Sequence, residues 1–410
     1  MNTKNYTLLS TMMFLQFFIW GAWFVTLGTY LSSTGFSGTE IGSAFLMNNI
    51  GAIISPFFIG LIADRFFAAE KIMGVLHIAG GLVLYYVSDL TTAGSIIFGL
   101  LIYNVCYMPT LALANTISFN QMTSPDTQFP KVRIWGTIGW IVAGLVISYG
   151  LAASYNNIET TAIPMKMAAI ASLVMGLFSF ALPKTPAQNT GKKTTIGDIL
   201  GLDALALMKD RSFAIFALCS LLISIPLAFY YAFANLYFNE LGMENVAGTM
   251  TLGQMSEAGF MALMPFFFRR LGVKWMLLVG MLAWAVRYAL FAAGDMQTGA
   301  WMLYAGIVLH GICYDFFFVT GQIYVDRKAD KSIRASAQGF ISLITYGVGL
   351  AIGSSLSGIV VDYFTQDGVK DWIGIWMTPC LFAIVVAMLF ALTFNDKEDV
   401  ADEALQPTTP

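Results

Sequence analysis

Long apolar runs, each about the 20 residues a helix needs to cross a hydrocarbon core, follow one another along almost the whole sequence and constrain the fold more than any other feature. Lipid offers no partner for free backbone N–H and C=O groups, so a spanning chain must be helical or form a closed barrel. A barrel strand alternates apolar and polar residues, whereas these runs are continuous, and the barrel is excluded. Composition agrees: 57% of the 410 residues are hydrophobic and only 11% are charged, against roughly 25% charged in a soluble domain. A net charge of −3 offers no basic surface for nucleic acid. Cys106, Cys219, Cys313 and Cys380 lie inside apolar runs without C-x-x-C spacing and read as packing residues. The first run, from about Tyr6 to Leu31, is too long for a signal-peptide core and reads as a retained first span.

Charged and Gly/Pro-rich breaks place twelve spans near 7–31, 40–63, 72–89, 95–120, 131–153, 161–183, 213–238, 246–268, 274–293, 299–325, 335–361 and 373–394. An even number puts both termini on one side. With that side cytoplasmic, seventeen of the 21 Lys and Arg fall in cytoplasmic segments, Lys166 and Lys370 fall outside, and Arg133 and Arg287 fall within spans. Cytoplasmic termini therefore satisfy the positive-inside rule. The expected organisation is a six-helix bundle over 1–183, a cytoplasmic linker over 184–212, a second six-helix bundle over 213–394, and a disordered cytoplasmic tail over 395–410.

The halves resemble each other. Tyr103-Asn-Val-Cys106-Tyr107 recurs as His310-Gly-Ile-Cys313-Tyr314, Pro56-Phe57-Phe58 as Pro265-Phe266-Phe267, and Arg133 with Gly136 as Arg334 with Gly339. Duplicated bundles of this kind hold substrate at their interface near mid-membrane. The loop Gly60-Leu-Ile-Ala-Asp64-Arg65 with Lys71 resembles the cytoplasmic signature of the major facilitator superfamily, although Phe67 stands where that signature has a second glycine. An ion pair there would latch the halves, giving Asp64 and Arg65 a gating role.

Ionisable groups at bilayer depth are costly and mark functional sites; Arg133, Glu257, Arg287 and Asp315 are of this kind. They either pair among themselves to hold helices or serve a solute. Arg133, Thr137 and Trp140 share one helical stripe that suits a planar, hydroxylated molecule. Gln254 and Glu257, three apart, face one way, as do His310 and Tyr314, four apart; Tyr231 lies in the seventh span. Glu257 or Asp315 is expected to carry a coupling proton, Asp315 by preference, with Glu257 on the substrate. Gln16, Trp20 and His77 read as softer candidates, and Phe316–Phe317–Phe318 as packing against lipid and neighbouring helices. No phosphate-binding loop of the G-x-x-x-x-G-K-[ST] type is present, so ATP-driven pumping is not expected. Two distant histidines argue against a metal site, and no cofactor or enzymatic constellation is expected.

With these residues in view, the chain resembles the nucleoside:proton symporter family, a branch of the major facilitator superfamily. The likeness rests on Phe18-Ile-Trp20-Gly21-Ala-Trp23, Tyr107-Met-Pro109-Thr110, Arg133-Ile-Trp135-Gly136-Thr137, Gln254-Met-Ser-Glu257, Arg287-Tyr-Ala-Leu-Phe291, Asp315-Phe316-Phe317 and Ile333-Arg-Ala-Ser-Ala-Gln338-Gly339. The resemblance implies proton-driven nucleoside uptake across a bacterial cytoplasmic membrane by a multi-pass, monomeric carrier. Arg133, Thr137, Gln254 and Glu257 would contact substrate, and Tyr314 and Asp315 would match the family's aromatic and acid in the tenth span. Ala228 and Tyr231 replace polar amides of the family, and His310 replaces a tyrosine. A sugar or another small polar metabolite on the same scaffold is the alternative cargo, because fold does not fix function. A membrane sensor or membrane-embedded enzyme is a weaker alternative, since no catalytic group is paired with an activating base.

Overall fold

The computed structural model describes residues 1–58, 68–155, 157–186, 197, 202–330 and 333–395. It is almost entirely helical: α1 (Thr3–Phe24), α2 (Leu27–Ser33), α3 (Gly38–Phe58), α4 (Ala69–Val87), α5 (Ala93–Asn120), α6 (Pro125–Leu145), α7 (Ile163–Ser179), α8 (Arg211–Glu240), α9 (Val246–Ala293), α10 (Ala300–Val308), α11 (His310–Tyr314), α12 (Thr320–Lys328), α13 (Arg334–Ser342), α14 (Leu350–Tyr363) and α15 (Trp372–Thr393). Helix falls on every one of the twelve expected segments. Among the described residues, nine helices are long and apolar enough to cross a membrane, and Ile163–Ser179 is a shorter apolar one.

Differences from the sequence reading have local causes. The break expected between the eighth and ninth segments is a kink inside α9 at Gly272, where two helices run into each other and a φ of 64° favours a residue without a β-carbon. Wider π-helical turns interrupt the fifth, tenth and eleventh segments at Val146–Leu151, Asp315–Val319 and Leu343–Gly349. Such turns often mark functional sites, because the extra residue breaks the regular ladder. Phe316, Phe317 and Phe318 are all buried within the protein, so the expected contact with lipid is not made. The π-turn carries them inward, where Phe318 meets Tyr314 and Tyr346 and Phe317 meets Trp284. Asp64 and Arg65, most of the linker and nearly all of the tail lie outside the described residues. Within the linker, a 3-10 segment over Leu202–Lys209 buries Ala204, and Asp210 then caps α8 by accepting from Phe213 N at 2.9 Å. The one strand pair among the described residues, β1 (Thr365–Gln366) with β2 (Val369–Lys370), is antiparallel, and its turn residues Asp367 and Gly368 both have positive φ.

Two large hydrophobic cores organise the chain, one drawn mainly from the first half and one mainly from the second. The halves meet most closely at one end. There Asp362 accepts from the backbone N–H groups of Gly38 and Thr39 at 2.6 and 2.8 Å. Thr29 donates to Asn235, Asn49 donates to Ser354 at 3.0 Å, and Gly248 N donates to Ser148 at 2.7 Å. Glu159 reaches across to Asn235, Asn239 and the backbone N–H of Ala247. Among the described residues, every hydrogen bond between residues 1–186 and 202–395 belongs to this group. Glycine permits the approach: a β-carbon on Gly42 would lie 2.4 Å from the Ser354 carbonyl, and one on Gly358 would lie 2.4 Å from the Gly38 carbonyl.

Candidate substrate site between the bundles

Below the sealed end, a cavity between the halves is lined by Gly21, Phe24, Trp140, Tyr230, Tyr231, Met250, Thr251 and Gln254. Aromatic side chains from both halves converge on it. Trp140 packs edge-on to Trp20 with centroids 5.7 Å apart, and Phe24 packs edge-on to Tyr231 at 5.6 Å. Gly21 gives the Trp140 ring room here, because a β-carbon would fall 3.1 Å from the ring and push it aside. Flat apolar walls with a few polar groups suit a planar, hydroxylated solute.

Polar groups gather beside this cavity. Arg133 on α6 lies over the Phe17 ring at 4.0 Å, and Gly136 keeps the space beside it open, since a β-carbon there would meet the guanidinium at 2.7 Å. Its charge interacts electrostatically with Tyr314 and Glu257 of the other half. Glu257, in turn, interacts with Asp315, Tyr231 and Tyr346. His310 Nε2 stands 3.9 Å from Glu257 Oε2, and the Tyr314 and Tyr346 hydroxyls share a hydrogen bond of 2.9 Å. Asp315 is fully buried, and neither carboxylate oxygen has a hydrogen-bond partner among the described residues.

Trp140, Tyr231 and Gln254 thus line the cavity, while Arg133, Glu257, His310, Tyr314 and Asp315 form a coupled polar group. Thr137 sits half-buried on α6, one turn from Arg133. The four ionisable groups singled out above make no ion pair with one another among the described residues, against the reading that they merely hold helices together. Arg287 is buried away from the carboxylates, with its guanidinium over the Tyr230 ring at 3.6 Å. His77 is a structural residue of the first half: its ring nitrogens contact Ser172 at 3.0 Å and Gln16 at 2.9 Å, and Gln16 donates to Thr110 at 2.7 Å. The Tyr107 hydroxyl donates to the Gln16 carbonyl, which holds Tyr107 against Trp20.

Tyr230, Tyr346 and Glu159 were not candidates from sequence. Tyr230 adjoins Tyr231, and a helix cannot point neighbours the same way; here both reach the cavity from α8. Tyr346 enters through the π-turn at Leu343–Gly349, which shifts the helical phase. Glu159 was hidden in a polar connecting loop, between Asn157 and Thr160, where nothing in the sequence sets it apart from its neighbours.

The comparisons with known proteins agree with this architecture. The sequence model of the family described as nucleoside H+ symporter matches residues 1–399. The transporter YegT of Escherichia coli (strain K12) is 43% identical over 405 residues, covering 97% of this chain and 95% of the relative. Xanthosine permease of the same organism is 35% identical, with 95% and 96% covered, and nucleoside permease NupG is 33% identical, also with 95% and 96% covered. A crystal structure of NupG superposes with a TM-score of 0.87 at 33% identity, covering 97% of this chain and 100% of the other. These matches cover nearly the whole chain, and the chain belongs to the nucleoside H+ symporter family, a family of transporters and not of enzymes.

Proposed function

We propose that this chain imports nucleosides together with protons by alternating access, its binding site lying between the halves. The observation that carries the reading is the electrostatic coupling of Arg133 from one half to Glu257 and Tyr314 from the other, beside an aromatic cavity, with His310 next to Glu257. Trp140 and Tyr231 stack the base, while Arg133, Thr137, Gln254 and Glu257 bind its polar edge and the sugar hydroxyls. Asp315 carries the proton: an unpartnered buried carboxyl is most easily accommodated neutral and must lose its proton to a wetter environment as the protein rearranges. Residues 1–183 and 213–394 rock against each other, with Asp64 and Arg65 at the gate between them. Charge distribution among the loops supports both termini in the cytoplasm. On that orientation the sealed end faces outward. The carrier works as a monomer in the cytoplasmic membrane, in direct contact with lipid and without a cofactor.

Uptake of labelled uridine and adenosine into proteoliposomes, with and without an inward-directed proton gradient, tests the reading. Saturable uptake that accumulates only with the gradient is expected, and unlabelled sugars should not compete. Absence of saturable nucleoside uptake overturns it.

A further inference from the structure

Arg287 is the most deeply buried cation in the described protein and has no exposed surface. Among the described residues no carboxylate stands within ion-pair distance of it. Its closest partners are instead the face of Tyr230, 3.6 Å from the guanidinium carbon, and Nδ1 of His310, 3.1 Å from Nη1, with the Phe291 ring further off at 5.6 Å and Cys313 beside it. A cation over an aromatic face is stabilised by the ring quadrupole, and the same Tyr230 ring stacks on His310 with centroids 5.7 Å apart at 27°. The three side chains therefore form one packed unit.

Elementary chemistry dictates what this unit does to the imidazole. A guanidinium carries five N–H donors and no acceptor, whereas a neutral imidazole has one donor nitrogen and one acceptor nitrogen. Nδ1 of His310 can meet Arg287 only as the acceptor, so the ring proton lies on Nε2. That nitrogen faces Glu257 Oε2 at 3.9 Å, beyond the range of a direct hydrogen bond. The donor is thus aimed at the carboxylate without being consumed by it.

We propose that Arg287 is a positioning residue: by donating to Nδ1 it fixes His310 as the neutral Nε2–H tautomer, and so presents the nucleoside site with a hydrogen-bond donor beside Glu257. This rests on the reading of the inter-bundle cavity as the nucleoside site. The donor selects an acceptor atom on the cargo, a ring nitrogen or carbonyl of the base or an oxygen of the sugar. A protonated His310 would lose its bond to Arg287 and set two cations against each other, so the coupling proton does not reside on this ring.

The chain contains only two histidines, which makes the tautomer directly observable. Purified full-length protein labelled with 15N-histidine gives two imidazole spectra, and His310→Gln identifies the second by subtraction. At neutral pH, His310 should show a protonated Nε2 and a hydrogen-bonded, unprotonated Nδ1. A protonated Nδ1 overturns the proposal whatever the protein transports.

Uptake supplies a second arm. Glutamine can place an amide donor near the position of Nε2, so His310→Gln should keep the apparent affinity for uridine within a few fold. Asparagine reaches only the Nδ1 position, and His310→Asn should lose about tenfold. Arg287→Gln should cost about tenfold in apparent affinity in the native background and little further in the His310→Gln background. Equal losses in both backgrounds would mean that Arg287 acts only as packing and would overturn the proposal. Failure of the native protein to transport uridine would instead count against the functional reading and leave the tautomer result standing.

Discussion

The Glu159 carboxylate accepts a hydrogen bond from the backbone N–H of Ala247 at 2.8 Å, joining a loop of the first half to the first turn of α9 in the second. Its other oxygen accepts from Asn235 at 2.8 Å and Asn239 at 3.0 Å. An anion at a helix N-terminus is favoured by the unpaired N–H groups and the helix dipole, so one side chain closes three contacts across the sealed end. Glu159→Ala should leave the Ala247 N–H unpaired, deprive Asn235 and Asn239 of their carboxylate partner, and weaken the seal by about 2 kcal/mol, a shift of about thirtyfold in the sealed-to-open ratio. Spin-label distances between Ser33 and Glu244, on opposite halves, would register it. An unchanged distance distribution would show that the glycine contacts suffice.

This carboxyl also gives the seal a pH dependence. Burial pushes the Glu159 carboxyl above the usual carboxylate range, and its hydrogen bonds to Ala247, Asn239 and Asn235 offset only part of the effect. Once the halves separate, the group is hydrated and returns to an ordinary value. The sealed form therefore holds its proton more tightly: sealing is strongest below the ordinary value and weakens as pH rises through the sealed-state value. The same spin-label distances, followed from pH 4 to pH 8, should show the sealed fraction falling, and Glu159→Gln should flatten the profile.

At Gly42 the halves touch backbone to backbone. A β-carbon 2.4 Å from the Ser354 carbonyl and 3.2 Å from the Gly358 Cα has nowhere to go. Gly42→Val should therefore hold the sealed end open and cut uptake at least tenfold while the protein remains folded. Increased labelling of a cysteine placed at Thr29, which is buried at the sealed end here, would verify the cause.

Glu257→Gln keeps the shape of the side chain but removes the charge that faces Arg133. Apparent nucleoside affinity should fall at least tenfold, as is usual when a buried charged partner is lost. Among the described residues, Glu257 is the carboxylate that acts on Arg133. Isothermal titration with uridine provides the measurement, and native affinity would remove Glu257 from the site.

Asp315→Asn should abolish accumulation against a gradient while leaving exchange of labelled for unlabelled nucleoside largely intact. Counterflow and gradient-driven uptake, measured on the same vesicles, separate the two activities. Normal accumulation would move the proton to another carboxyl.

Much of this was legible in the residues because lipid imposes a simple rule. Long apolar runs had to be helices, and Arg133, Glu257 and Asp315 stood out because a charge at that depth needs a reason. Arg269, Arg270 and Lys274 marked the break that falls at Gly272, but hydropathy could not reveal the π-turns, which depend on local backbone geometry rather than on average polarity. The π-turn also explains the misplaced Phe316–Phe318 run: a straight helix would send part of it outward, and one extra residue turns all three inward. The roles of Glu159 and Asp362 escaped notice because each acts on a backbone amide of the other half, a contact that no periodicity encodes.

The closeness of Gly38 to Gly358 and of Gly42 to Ser354 bears on energy conservation. Where main chains touch, no file of water can form between them, and without such a file a hydronium ion has no route past an empty carrier. Small residues at this boundary thus insulate the cell against a futile leak, so that the driving ion crosses only in company with its cargo.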